Sequence, residues 1–371
     1  MSDNTKIEWT EATWNPITGC TVVSAGCKNC YAMKLAGTRL QHHPSRAGLT
    51  IDTSNGPVWN GQVRFNQEWL DQPLKWKRPR MIFVCAHGDL FHESVPDEWI
   101  DRVFAVMALA PHHTFQVLTK RADRMMSYCR NAGYRPEFYA RQRDSAFRVH
   151  LPLPNVWLGV SVENQEAANE RIPLLLDTPA AVRWISAEPL LGPINLNSTP
   201  PVPGSIPVNG ATVADISGCL PKWQQSPVRA KLRDGIDWVV AGGESGPNAR
   251  PMHPDWARSL RDQCQEAGVA YFFKQWGEWK PVSQGGDWYD SLYKPIRVAV
   301  DHENQDALNE IYGRTCMVDQ GILHLNGSLH GISLGAFKFG TGAMHMFKVG
   351  KKAAGRILDD RAWDEYPKTG S

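Results

Sequence analysis

The sequence predicts an α/β fold, a partial or complete parallel β/α barrel. Three observations predict it. Short β-branched or aromatic runs recur along the chain. Each run is nearly continuous in apolar character, as befits strands buried on both faces of a parallel sheet. Helix-like segments lie between most of the runs, and a strand–helix–strand repeat of about 30 residues is the mark of a βαβ unit.

The first strand is expected near Ile7–Trp14, followed by Met81–Ala86, Thr114–Thr119, Val156–Val162, Val182–Ala187, Ile236–Ala241 and Ala270–Lys274. Between them, Pro96–Met107 has helical spacing and acids in its first turn. Asn164–Leu176 is amphipathic and stops before Thr178 and Pro179. Pro254–Ala267 starts with Pro-Asp and ends at Gly268, a helix start and a C′ glycine. Three segments interrupt the rhythm. Residues 41–62 are polar and glycine-rich, 195–232 are rich in Pro, Gly and Ser, and 285–346 show no βα alternation. The expected organisation is a barrel over residues 1–284, with insertions at about 41–62 and 195–232. A C-terminal extension over 285–371 would pack on it as an appended lobe. A single barrel of 371 residues is within the size range of that fold.

Bulk composition narrows the function. Hydrophobic content of 42% supports a sizeable core. With 40 basic and 38 acidic residues the net charge is +2, so any hold on a polyanion must come from a local patch. The first residues carry no apolar run, and no stretch nears the roughly 18 apolar residues of a membrane span. The expectation is a cytoplasmic protein with no membrane partner. Eight cysteines are too sparse for a disulfide scaffold. Fifteen tryptophans, many beside turn residues, suggest cavity walls as well as core.

Cys20, Cys27 and Cys30 have the spacing Cys-x6-Cys-x2-Cys. They can converge on one metal centre if the loop folds around it, and Gly19 and Gly26, each preceding a cysteine, give the backbone room. Thiolates suit both zinc and iron–sulfur clusters. Structural zinc takes four protein ligands, with His42 or His43 available as the fourth. A cluster held by three cysteines keeps one position open. Unligated or redox-active thiols are the third reading.

Chemistry in a β/α barrel gathers at the C-terminal ends of the strands. The expected strands all end in polar residues: His87 to Asp89, Thr119 to Arg121, Ser161 to Asn164, Glu188, Gly242 to Ser245, and Lys274 with Gln275. Plainer roles stand beside the functional ones. Asp89 suits a helix cap, Glu188-Pro189 a strand end, and His87 and His92 satisfied structural positions. Cys85 suits a buried small hydrophobe. Trp276 and Trp279 suit the core, and Cys129, Cys219, Cys264 and Cys316 are isolated.

The loop pattern Asn-Pro-x-x-Gly-Cys…Gly-Cys-x-x-Cys-Tyr-Ala resembles the cluster loop of radical S-adenosylmethionine enzymes, particularly the spore photoproduct lyase branch. The usual spacing there is Cys-x3-Cys-x2-Cys, and this chain has three extra residues between the first two cysteines. The closer resemblance is to a phage-associated, radical-SAM-like domain of unknown function. It spans nearly the whole chain, through Gly88–His92, Leu118–Arg121, Gly159–Asn164, Ser186–Leu190, Ala241–Ser245, Phe273–Glu278 and Val349–Arg356.

The resemblance implies a radical-SAM-like barrel with a 4Fe–4S cluster on the three cysteines, S-adenosylmethionine as cofactor, and an electron donor as partner. By analogy Asp89 would accept the methionyl ammonium. Ser161, Glu163 and Glu188 would meet the carboxylate and ribose. Lys120 with Arg121 would pair the carboxylate or a substrate phosphate. Gly242 and Gly243 would let the backbone approach the adenine. The implied function is modification or repair of a nucleic acid or nucleotide. The same chemistry on a peptide or small molecule is the first alternative, and a non-catalytic, zinc-stabilised nucleic-acid-binding protein is the second. Two basic stretches, His345–Arg356 and Lys75–Arg80, suit contact with phosphates and equally suit solvated surface.

Overall fold

Seven strands pair side by side in chain order, all parallel: β1 (Ala12–Trp14), β2 (Met81–Val84), β3 (Thr114–Thr119), β4 (Val156–Ser161), β5 (Val182–Ala187), β6 (Trp238–Gly242) and β7 (Ala270–Gln275). The structure is a computed structural model describing residues 5–131, 151–198, 235–300 and 304–368. Most of the expected insertion at 195–232, with Cys219, lies outside those residues. Among the described residues β1 and β7 do not pair, so the sheet curls into a half-barrel. The crossovers carry helices α2 (Asp97–Leu109), α3 (Ala122–Asn131), α4 (Gln165–Leu176) and α5 (Pro254–Ala267), after a short α1 (Tyr31–Gly37) in the first connection. This is a partial β/α barrel. Its first strand is shorter than expected: pairing covers Ala12–Trp14, and Trp9 turns into the barrel instead of extending the sheet.

Strand alternation sorts the side chains. Val84, Val117, Leu158, Ile185, Val239 and Phe273 face outward and pack with helix residues such as Val103, Met107, Ile172 and Leu260. Phe83, Trp157, Trp184, Trp238 and Phe272 belong to a second cluster with Trp9. Within it, Trp184 lies 5.2 Å from Trp9 and 5.4 Å from Trp238 between ring centroids. Gly159 makes room for Trp184, since a methyl there would stand 2.5 Å from the indole. These rings fill the barrel below the strand ends and leave the space above them for a site.

The helix boundaries follow capping chemistry. The Asn164 side chain accepts the Ala167 amide at 3.0 Å and caps α4. Gly268 closes α5 in the left-handed region at φ +70. Beyond the barrel, β8 (Trp279–Pro281), β9 (Gln320–Leu323), β10 (Leu329–His330) and β11 (Met344–Lys348) form an antiparallel sheet in the order β8-β11-β9-β10. The tail then returns along β7. The Phe273 amide donates to Trp363 O at 2.9 Å, and the Trp238 indole donates to Glu365 O at 2.8 Å. Among the described residues no helix is long and apolar enough to cross a membrane.

Candidate active site

The cysteine loop leaves β1 through a tight approach. Gly19 sits at φ +98, and a β-carbon there would stand 2.1 Å from the Gln62 carbonyl oxygen. Gly26 passes so close to β4 that a β-carbon would be 3.2 Å from the Glu163 carboxyl carbon. Cys27 closes a short 3-10 turn, Ala25–Cys27, and Cys30 stands directly before α1.

The strand ends fasten this loop one by one. From the loop, the Tyr31 hydroxyl donates to Ala86 O beyond β2 at 2.7 Å, and Arg121 beyond β3 donates to Thr21. The Gly26 amide donates to Glu163 Oε1 beyond β4 at 3.3 Å. Asn29 Nδ2 donates to Glu244 Oε2 beyond β6 at 2.9 Å, and Arg250 Nη2 donates to Ala25 O at 3.0 Å.

All three cysteines line one cavity of about 280 Å³. That is near the lower end of small-molecule sites, roughly 300–1,000 Å³. The ends of β2 through β7 wall it, from Asp89 and Lys120 through Ser161, Ser186 and Glu188 to Ser245 and Lys274. Trp9, Phe83 and Leu118 supply apolar wall.

Its charges are paired. Asp89 accepts from the Phe91 amide at 3.0 Å, the Thr119 hydroxyl at 2.7 Å and Arg121 Nη1 at 3.0 Å. Arg121 also donates to Glu93 at 3.0 Å and stands 3.5 Å from Cys20 Sγ. Burial pushes the Cys20 thiol up to about 12 with help from the Asp89 charge, and Arg121 pulls it the other way. Burial likewise raises Cys30. Burial would raise Glu163, but Lys120 at 3.3 Å, a Ser24 hydrogen bond and Arg171 at 3.1 Å hold it at about 2. Glu244 is also buried, and Arg250 at 2.6 Å keeps its carboxyl low. Glu188 meets Lys274 at 2.9 Å and the Trp9 indole N–H at 3.2 Å.

A family model described as "Protein of unknown function (DUF5131)" matches residues 4–367. The chain belongs to this family. No curated protein and no solved structure matches it.

The residues singled out in this DUF5131 chain fall into three groups. Asp89, Lys120, Ser161 and Glu188 line the cavity with the three cysteines. Glu163 sits behind the loop and holds it down. Gly242 and Gly243 are bare for reasons within the protein. A β-carbon on Gly242 would stand 2.7 Å from Glu188 Oε1, and one on Gly243 would stand 1.9 Å from Trp276 O. Asp89 is held by Arg121 on one side and the β3 end on the other. Trp276 and Trp279 are buried core positions, whereas Cys85, also buried, sits just past the end of β2 at φ +56 and lines the cavity instead of lying in a strand.

Neither histidine suggested as a fourth ligand joins the cysteines. His43 lines a different cavity and bonds Ser45, while His42 is exposed. Among the described residues no three His, Cys, Asp or Glu side chains gather closely enough for a single ion. The contacts that sequence reasoning missed are Asn29–Glu244–Arg250 and Glu188–Lys274. Their signal was the cluster of polar residues at each strand end, but the pairing is set by the three-dimensional fold.

Proposed function

We propose that the chain is a radical S-adenosylmethionine-type iron–sulfur enzyme acting on a nucleic acid or nucleotide. The observation that carries this reading is the meeting of three thiols from one loop in a cavity walled by the strand ends of a half-barrel. The donor set fits such a cluster. Sulfur ligands suit iron–sulfur chemistry, and each would take a different iron, so they need more separation than the ligands of one ion. A guanidinium beside Cys20 offers the positive charge its thiolate requires.

On this reading Cys20, Cys27 and Cys30 would hold the cluster, with S-adenosylmethionine bound beside it. When bound, the pair supplies one-electron reductive cleavage of a carbon–sulfur bond, with the electron coming from an outside donor. The chain's own residues position and shield. Ser161 and Ser186 offer hydroxyls to a ribose or carboxylate, and Lys120 and Lys274 supply cations already oriented by Glu163 and Glu188. Trp9, Phe83 and Leu118 keep water from part of the wall.

The basic stretch 345–356 runs beside the cavity, its Lys348 paired with Asp319. Lys351 pairs at 3.1 Å with Glu8, between the cavity residues Ile7 and Trp9. Lys348 donates to Pro247 O, just past the end of β6. The other stretch, Lys75–Arg80, leads into the start of β2, the end of the strand away from the cavity.

Anaerobic reconstitution tests the proposal. About four irons and four sulfides per chain are expected, with a brown colour and cleavage of S-adenosylmethionine on reduction. Cys27→Ala should lose most of the iron. A colourless protein with one tightly held zinc would favour the zinc-stabilised nucleic-acid-binding reading. Cleavage indifferent to added oligonucleotide or nucleotide would shift the substrate to a peptide or small molecule.

A further inference from the structure

A second cavity of about 320 Å³ lies between β1, residues 40–46 and the turn after β2. It shares no lining residue with the first. Its described lining is Thr13, Asn15, Leu40, His43, Ser45, Arg46, Trp69 and His87, and none of these is acidic.

Arg46 dominates it. The residue is 5% exposed, its guanidinium carbon is 5.8 Å from the Trp69 ring centroid, and among the described residues no carboxylate pairs with it. Nη1 donates to Ser45 Oγ at 2.6 Å and Nε donates to His87 Nδ1 at 3.4 Å. Nη2 has no acceptor among the described residues. Burial and the neighbouring Arg64 push Arg46 down to about 10, whereas Arg121, which has carboxylate partners, is raised. A buried guanidinium without a counter-charge is costly until an anion meets it.

The same arginine fixes how two histidines present themselves. His87 Nδ1 accepts from Arg46, and the ring is held neutral by burial and that nearby charge, so its proton sits on Nε2. His43 Nδ1 accepts the Ser45 amide at 3.3 Å and meets Ser45 Oγ at 2.7 Å, so Nε2 is its donor nitrogen. Three donors without fixed partners therefore belong to one acid-free cavity: Arg46 Nη2, His43 Nε2 and His87 Nε2. A carboxylate has two oxygens to offer them, whereas a phosphoryl group has three. We propose that this cavity is a phosphoryl-binding site, with Arg46 as its anchor and His43 and His87 as hydrogen-bond donors.

The test is equilibrium dialysis of the full chain, prepared without iron or S-adenosylmethionine, so that its outcome is independent of the proposed radical chemistry. The probes are radiolabelled inorganic phosphate and a 5′-phosphorylated dinucleotide beside its unphosphorylated form. Saturable binding of one phosphoryl group per chain is expected. Arg46→Met should weaken it by at least about tenfold, the loss of a charge-assisted hydrogen bond. His43→Leu alters an exposed side chain and should weaken it severalfold with the fold intact. It carries the decision if Arg46→Met fails to fold. Binding of inorganic phosphate identifies the free ion as a sufficient ligand. Binding of the phosphorylated dinucleotide alone assigns the phosphate to a nucleotide chain. Either result upholds the site. No saturable binding of either probe, or binding that a folded variant leaves unchanged, overturns it.

Discussion

Glu163 shows how a carboxylate near the cysteine cavity can serve the architecture. It sits between Lys120 and Arg171 and holds the Gly26 amide. Glu163→Gln keeps the shape and removes the charge, leaving Lys120 without its counter-charge and Arg171 with only the exposed Glu170 at 3.8 Å. A loss of roughly 3–5 kcal/mol is expected in denaturant unfolding, the usual result of breaking a buried pair from one side. The pH dependence has a definite sign. The folded carboxyl titrates at about 2 against an ordinary 4.5, so its contribution is complete above about 4.5 and fades as the pH falls toward 2. Wild type and Glu163→Gln should therefore converge in stability as the solution is acidified through that window. A gap that stays constant would refute the pairing. Gly19→Ala meets both a left-handed backbone and the Gln62 carbonyl. It should lower the melting temperature by the equivalent of at least about 1–3 kcal/mol. The cysteines were legible in the sequence because their spacing is local. The partners of Asp89 were not, because Thr119 and Arg121 lie 30 and 32 residues away.

At the scale of elements, legibility followed burial. Strands β2 to β7 stood out because most of their residues are buried and their runs are nearly continuous in apolar character. The first strand was overextended because Ile7 and Trp9 are apolar for another reason: both line the cavity. The second sheet gave no readable rhythm. Its strands have two to five residues, and β8 pairs with β11 across dozens of intervening positions, Trp279 opposite Lys348. Two substitutions test the elements. Asn164→Ala removes the cap of α4 and should cost about 1 kcal/mol in thermal unfolding, with Asn164→Asp largely restoring it. Gly159→Ala drives a methyl against the Trp184 ring and should cost about 1–3 kcal/mol. A neutral effect would mean that the aromatic filling can shift to accept it.

At the scale of the molecule, the half-barrel leaves β7 as an edge, and the C-terminal tail covers it. Trp363 and Glu365 accept bonds from β7 and β6, and Ile357 O accepts the Trp276 indole N–H at 2.7 Å. Ending the chain at Gly355 should expose that edge and its rings, and light scattering should then show aggregation on mild heating. A shortened chain that stays monomeric with an unchanged transition would make the tail a bystander. The fastening of the cysteine loop has a consequence for biosynthesis. Asn29 and Glu244 are separated by 215 residues, so the thiols leave the ribosome long before the groups that arrange them exist. Nascent chains carrying all three cysteines are thus still without a defined centre. The contacts that hold the loop in place therefore form late, after most of the polypeptide has been made.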